Sequence, residues 1–466
     1  MNAEEKARLK PANENPWYCL ATLYGEQGGE AVDWGLAEKN LQGWKRWIAA
    51  ASLSDADRVE LARTQQPVRE FAAQRDPELN RIFDARMPFR RTFPPDPNEP
   101  IDFTGTSFES PFMFRGFNCP QGVSFDFSVF SEIVDFNGAE IPKGVHFTSA
   151  TFRKHADFNS LHAGNVDISS ATFAADTLFS GAAFYGMAKF DSVHFAGTVR
   201  FSQSTFSGFT SFARATFSKP AYFNSSRFSE IATFSSATFR GDTDFSSATF
   251  SKNAYFHSAT FSGNASFVNS QFTALTVFAN STYETKVPDF RGAKLHEATE
   301  WHGVRWPPSP RDKDAAHSHV YAYERLKQEM ERLKKHEDEQ FFFAKELRAR
   351  RLLVPIWSSA RLLNILYDVS SDYGQSAERP LFWLLALFAI GFAFFAAAPV
   401  FKGARMALDR AAGLSFANIF SFLPMKREMV ASLSGAAQVV GVAQSFVGLV
   451  LLFLLGLALR NKFRMK

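Results

Sequence analysis

The sequence is poor in the chemistry that most often marks an enzyme. Two cysteines, Cys19 and Cys119, exclude a disulfide framework and a CxxC pair, and fit a reducing compartment. No GxSxG elbow, phosphate-binding glycine loop, HExxH or paired-carboxylate arrangement occurs, so no catalytic residue, cofactor or metal site is assigned. His296, His302, His317 and His319, with Glu297 and Glu300 among them, lack the fixed convergent spacing of metal ligands and read as cap and linker residues. Charge of one sign is missing too. Formal net charge is +4 with 21% charged residues, and between Asp102 and Arg291 fifteen acidic residues face thirteen basic ones. That balance removes the physical basis for nucleic-acid binding or for acidic mimicry of it, so no nucleic-acid partner is expected. Residues Met1 to Lys10 are charged and no apolar run follows, so no secretory signal or transit peptide is expected.

What is abundant is phenylalanine, 53 residues against 10 Tyr and 8 Trp. From Phe173 the series runs through Phe179, Phe184, Phe190, Phe195, Phe201, Phe206, Phe212, Phe217, Phe223, Phe228, Phe234, Phe239, Phe245, Phe250, Phe256, Phe261, Phe267, Phe272 and Phe278, in alternating steps of six and five. The unit is therefore eleven residues. A small or β-branched residue stands two places before nearly every Phe, as Ala237, Ala248 and Ala259 do. Backwards, the phase continues through Phe158, Phe152, Phe147, Ile141, Phe136, Phe130, Phe125, Cys119, Phe114, Phe108 and Phe103, so Cys119 occupies a Phe slot in apolar surroundings that make it a poor nucleophile. The beat shortens by one residue within His162 to Asp167, where a bulged corner is expected. It lengthens by one before Phe290, after which Leu295, Trp301 and Trp306 keep the spacing and end the ladder as a cap.

Steps of five and six match no face of a 3.6-residue helix, and Ser, Thr, Phe and Gly favour extended segments and corners. Segments of two or three residues joined by tight corners point each Phe and its small partner inward. With four sides, a coil takes about 22 residues and the ladder about nine coils, a rod about 45 Å long at the usual strand spacing. Thr216, Thr238, Thr249 and Thr260, each just before a core Phe, then form a solvated β face.

Ala237-Thr238-Phe239-Arg240-Gly241 and Ala248-Thr249-Phe250-Ser251-Lys252 carry a small-polar-Phe-x-x unit, and on them residues 101–307 resemble the pentapeptide-repeat family in a Phe-rich, eleven-residue variant. The resemblance implies a mainly β fold, a right-handed quadrilateral β-helix, although blocks such as Asp242 to Ser247 carry a sixth residue. Its structural ladder includes Phe114, Cys119, Phe125, Phe184, Phe195, Phe206, Phe217, Phe228, Phe239, Phe250, Phe261, Phe272, Trp301 and Trp306.

The flanks differ. Residues 1–100 read as a helical N-terminal cap, with helices over Asp33 to Ala51 and over Ser54 to Val68, and a linker at Pro94, Pro95, Pro97 and Pro100. Residues 308–370 read as a helical neck, an αα-hairpin of Ala315 to Lys335 and Glu337 to Leu353. Residues 371–466 read as a transmembrane hairpin with spans at about 381–401 and 439–459. Gln444 and Ser445, polar in lipid, are expected to face the partner helix. Basic residues barely discriminate orientation: Arg361, Arg379 and a tail of Arg460, Lys462, Arg464 and Lys466 oppose Lys402, Arg405, Arg410, Lys426 and Arg427 between the spans. Some 380 residues precede the first span without an export signal, so both termini are expected on the cytoplasmic side of the inner membrane.

Between the spans, Leu414 to Pro424 is apolar and too short to cross; it either lies at the interface or re-enters. The tail is similar to the channel-like tails of membrane-bound pentapeptide-repeat proteins in Asp372-Tyr373-Gly374, Arg379-Pro380 and Leu457 to Arg464. Nothing between Pro399 and Val439 supplies a potassium-filter run of carbonyls. The expected function is a non-enzymatic, membrane-anchored scaffold that meets lipid and an unidentified protein partner. The alternative is a subunit of a homo-oligomeric two-helix pore gated by the solenoid.

Overall fold

The structure, a computed structural model, describes residues 9–28, 31–87, 93–397, 406–420 and 435–464. It forms two compact units, one ending at Pro308 and one beginning at Ser309.

The first unit is a parallel β-solenoid. Its strands are mostly two residues long and recur every 22 residues on four sides. Thr216–Phe217 pairs in register with Thr238–Phe239 and that with Thr260–Phe261; Ala221–Tyr222 pairs with Thr243–Asp244; Arg227–Phe228 pairs with Thr249–Phe250; Ala232–Thr233 pairs with Ala254–Tyr255. The pleat explains the residue choice: in Ala248-Thr249-Phe250 the first and third side chains are buried and the second is not. Rings of successive coils stack at the strand spacing, Phe217 on Phe239 at 4.7 Å and 5°, Phe234 on Phe256 at 5.0 Å and 3°. Neighbouring columns meet edge to face, as Phe234 and Phe245 do at 5.2 Å and 83°. Both are favoured geometries for aromatic quadrupoles, so one residue type fills the core along and across the rod.

The alternation of five and six follows from two kinds of corner. After a step-of-five Phe the chain closes a four-residue turn: the Ala248 amide donates to the Phe245 carbonyl at 3.0 Å. The third residue of that turn stands at positive φ, 58° for Ser236 and Ser247, as a type II turn requires. The sixth residue makes the other corner wider. There Gly197, Lys219, Gly241 and Gly263 follow one another coil by coil, and a Cβ on any of the three glycines would come within about 2.5 Å of the backbone of the preceding coil.

The two slips take different forms. At the first, His162–Asp167 is a continuous strand that runs through the corner alongside Glu140–His146. The bulge is present, but Glu140–His146 carries it: Ile141 to Gly144 takes four residues where Ala163 to Asn165 takes three. The missing residue straightens the corner. At the second, a 23-residue step leaves the last coil held by single bridges, Ser266 to Asp289 and Thr282 to Arg305. Trp301 stacks on Phe278 at 4.7 Å and the half-buried Trp306 on Tyr283 at 5.7 Å. The Thr face is corrected in one place: Thr216, Thr238, Thr260 and Thr282 share a column, whereas Thr249 lies on another side between Arg227 and Gln271. Half a coil separates residues eleven apart, so adjacent units never share a side.

Helices α1 (Pro16–Ala21), α2 (Trp34–Ala50), α3 (Asp55–Thr64), α4 (Val68–Arg75) and α5 (Pro77–Arg86) precede the rod. Asp33 caps α2, and Ser54 with Asp57 forms a capping box on α3. This block closes the first coil. Trp44 packs on Phe114 and Phe117 and donates to the Asn118 carbonyl at 2.9 Å, Tyr18 packs on Phe108 and Phe112, and Lys10–Pro11 pairs with Thr106–Ser107. An open solenoid end would present unpaired strand edges and bare rings to water; here the edge of Thr106–Phe108 is paired and the first rings are covered.

The second unit holds α6 (Lys313–Arg332), α7 (His336–Arg350), α8 (Ser359–Ser371), α9 (Glu378–Ala397), α10 (Leu408–Ile419) and α11 (Gly435–Arg464). Helices α6 and α7 make the expected hairpin, tied by Lys327 to the buried Glu346 at 2.7 Å. Helix α8 has no counterpart in the sequence reading. Helices α9 and α11 are long and apolar enough to cross a membrane, and little of either is buried. The expected end of the first span at 398–401 and, within 402–438, residues 402–405 and 421–434, including Lys402, Arg405, Lys426 and Arg427, lie outside the described residues.

Candidate functional site

The wide corners are where the solenoid shows chemistry to solvent. One column of corners is polar: the Asp176 carboxylate accepts from the Thr198 amide at 2.7 Å and that of Asp242 from the Asn264 amide at 2.8 Å. Half a coil away the same positions carry Met187, Phe209 and Ile231, which are 41%, 40% and 37% exposed. They are stacked one coil apart, because the Ala188 amide donates to the Phe209 carbonyl and the Thr210 amide to the Ile231 carbonyl, each at 2.9 Å. Tyr185, more than half exposed, stands beside them, and Asn165 ends the column by accepting from the Met187 amide. Three apolar side chains about 4.8 Å apart on a rigid edge make a continuous ridge rather than scattered surface residues. The period of 22 at 187, 209 and 231 is present in the sequence, where the stronger eleven-residue Phe ladder overlies it.

A second constellation joins the apolar helices. Gln444, 4% exposed, donates through Nε2 to the Ser415 hydroxyl at 2.7 Å and to the Leu387 carbonyl at 3.1 Å; its Oε1 accepts from Asn418 Nδ2 at 3.1 Å. Ser415 donates in turn to the Phe388 carbonyl at 2.9 Å. Gly391 makes room, since a Cβ there would lie 2.1 Å from the Gln444 amide nitrogen. Gln444 thus bonds the backbone of α9 and a side chain of α10. Ser445 donates to the Gly441 carbonyl of its own helix at 2.8 Å, which satisfies the hydroxyl locally. In the sequence Ser415 and Asn418 lie in a short apolar dip, and nothing in their spacing marks them as partners of Gln444.

The third constellation is ionic. Arg351 bonds the Asp368 carboxylate at 2.6 Å and the Tyr373 hydroxyl at 2.8 Å, and Arg348 bonds Asp368 at 3.0 Å and also Asp372. Burial pushes the Asp368 carboxyl up, but the hydrogen bonds and charges of Arg348 and Arg351 outweigh it and hold the group below the usual carboxylate range. Asp372, Tyr373 and Gly374, all at positive φ, form the turn between α8 and α9. The motif singled out in the sequence is therefore a joint.

The ladder residues from Phe114 to Phe272 and Cys119 are buried in the rod. Burial pushes the Cys119 thiol well up. His296 accepts from the Ala298 amide at 3.1 Å in the last coil and His319 is buried in α6. Among the described residues no three His, Cys, Asp or Glu side chains gather as a metal site.

Residues 168–215, 201–249 and 234–282 match the family described as pentapeptide repeats (9 copies). No curated protein and no solved structure matches the chain.

Proposed function

We propose that the protein is a membrane-anchored, non-enzymatic scaffold whose solenoid holds a protein partner along the ridge of Met187, Phe209 and Ile231. The observation that carries this reading is the ridge itself. Exposed apolar side chains in a stacked row lose their contact with water only when a partner covers them, and a solenoid presents such a row without distortion. Helices α9 and α11 supply the anchor: their outward residues, among them Phe382, Leu385, Ile390, Val442, Phe446 and Phe453, are mostly exposed, the reverse of a soluble core helix. Both termini then lie on the cytoplasmic side. The test is capture from detergent-solubilised membranes. Wild type should retain a partner that Met187→Ser/Phe209→Ser/Ile231→Ser loses at unchanged folding, and equal recovery by both proteins refutes the reading.

A second reading has its own support. Helix α10 packs against both apolar helices through Ser415, Asn418 and Gln444, a span, short helix and span arrangement that suits a homo-oligomeric pore. It predicts an oligomer in detergent and ion flux in liposomes; a monomer that passes no ions dismisses it.

A further inference from the structure

Helix α8 is amphipathic in the wrong sense for a soluble protein. Its polar side is spent inside the unit: Asn364 donates to the Leu347 carbonyl at 3.1 Å, Asp368 binds two arginines, and Ser371 is buried. Its apolar side faces out, with Leu362, Leu363, Leu366 and Val369 each about half exposed or more, and Ile356 and the almost wholly exposed Trp357 lead into it. A helix packed on a core alone buries the other face.

Its depth is set by its neighbours. The Trp383 indole donates to the Val369 carbonyl at 3.3 Å, Arg379 to the Asp368 carbonyl at 2.9 Å, and Asn461 to the Gly374 carbonyl at 3.2 Å. The end of α8 is thus fixed to the start of α9 and the last turns of α11, where Arg379, Arg460 and Lys462 mark the return of charge. That level is where hydrocarbon gives way to headgroups. The outward face of α8 continues the exposed apolar face of α9 at Leu381 and Phe382.

Resting on the membrane-anchor reading, we infer that α8 lies in the plane of the membrane and binds the lipid surface as a third membrane element. Thirteen residues give an in-plane cylinder about 20 Å long. Trp357 sits at headgroup level, the leucines reach the upper acyl chains, and the ionic joint clamps the neck hairpin to this float. Motion of α6 and α7 is thereby coupled to lipid packing.

The test uses the full chain in phosphatidylcholine liposomes, with Leu363→Cys or Leu366→Cys carrying an environment-sensitive fluorophore. Cys19 and Cys119 are buried and stay unlabelled. Bromine near the carbonyl end of the acyl chain should quench either label at least twofold, and deep bromine should quench less. A label at Phe446→Cys, in the middle of α11, should show the opposite order. If the Phe446→Cys label is quenched and neither α8 label is, the anchor stands and the inference fails. If no label is quenched, the membrane reading fails first. Labels on α8 that are shielded only at high protein density, independent of bromine, overturn the inference in favour of contact between copies.

Discussion

Replacing Phe228 by Ala should open the solenoid in its middle and nowhere else. Phe228 is fully buried and lies between Phe206 and Phe250, at 4.7 Å and 3° from each, with Phe234 edge-on at 5.9 Å. The coils cannot close the gap, because the Ser229 amide is bound to the Phe206 carbonyl at 2.9 Å and the Ser251 amide to the Phe228 carbonyl at 2.8 Å. A cavity that cannot collapse belongs near the top of the range for Phe to Ala, about 4 kcal/mol. Stability in a solenoid is a sum over neighbouring coils, so the cost falls on two interfaces. Hydrogen exchange of the full chain in detergent should show amides of 206–250 exchanging about a thousandfold faster, with the N-terminal helices and the second unit unchanged. Trp306→Ala, which strips a half-buried ring from the end of the stack, should cost less than half as much. An effect under tenfold at Phe228, one spread evenly over the rod, or one equal at both sites refutes the stacked-ring account.

Deletion of residues 217–238, one coil of 22, should leave a folded, shorter rod by circular dichroism and exchange, whereas deletion of five residues should collapse it because tight and wide corners would fall on the same side. Gln444→Leu leaves Ser415 and Asn418 without their common partner; it should lower stability in detergent by about 1 kcal/mol and reduce disulfide crosslinking between Ile419→Cys on α10 and Leu451→Cys on α11, which pack in one cluster. Asp368 is held below its free carboxylate value of about 3.9, so its contribution is complete above that pH and is lost as pH falls through the lower folded value. Melting temperature should therefore drop as pH falls below about 4, and Asp368→Asn should be less stable at pH 7 but flatter over that fall. Cys119 should resist a maleimide in the native protein and react fully once the rod is unfolded.

The solenoid was legible because its cause is periodic. Each Phe reports the same inward position, so even Cys119 and the two slips could be placed from spacing alone. The number of sides followed from the family unit, and the sixth residue, at first a departure from it, proved to be the wide corner. What was not legible depends on contacts that spacing does not encode. The bulge fell on Glu140–His146 because strand pairing decides which chain absorbs the extra residue. Thr249 left the Thr column because sides alternate by half a coil. Helix α8 escaped because Pro355 and Trp357 broke the pattern before it, and its arginine partners lie seventeen and twenty residues upstream.

The two kinds of corner also divide the labour of the rod. At a tight corner the turn is closed by its own hydrogen bond and its third residue is confined to positive φ, which explains the run of Ser, Asn and Gly from Ser225 to Gly303. Phe127, Gln203 and Arg214 hold the same position earlier in the rod, each at the backbone cost of a positive φ. A wide corner has no such bond, needs close approach only at its glycines, and turns its next side chain to solvent. Asp, Thr, Pro, Asn, Met, Phe and Ile all occur there without disturbing a single stacked ring. Evolution can therefore rewrite the wide corners while the core stays Phe. A ridge such as Met187, Phe209 and Ile231 is the kind of surface that this freedom permits, and partner choice should map to those positions before any other on the rod.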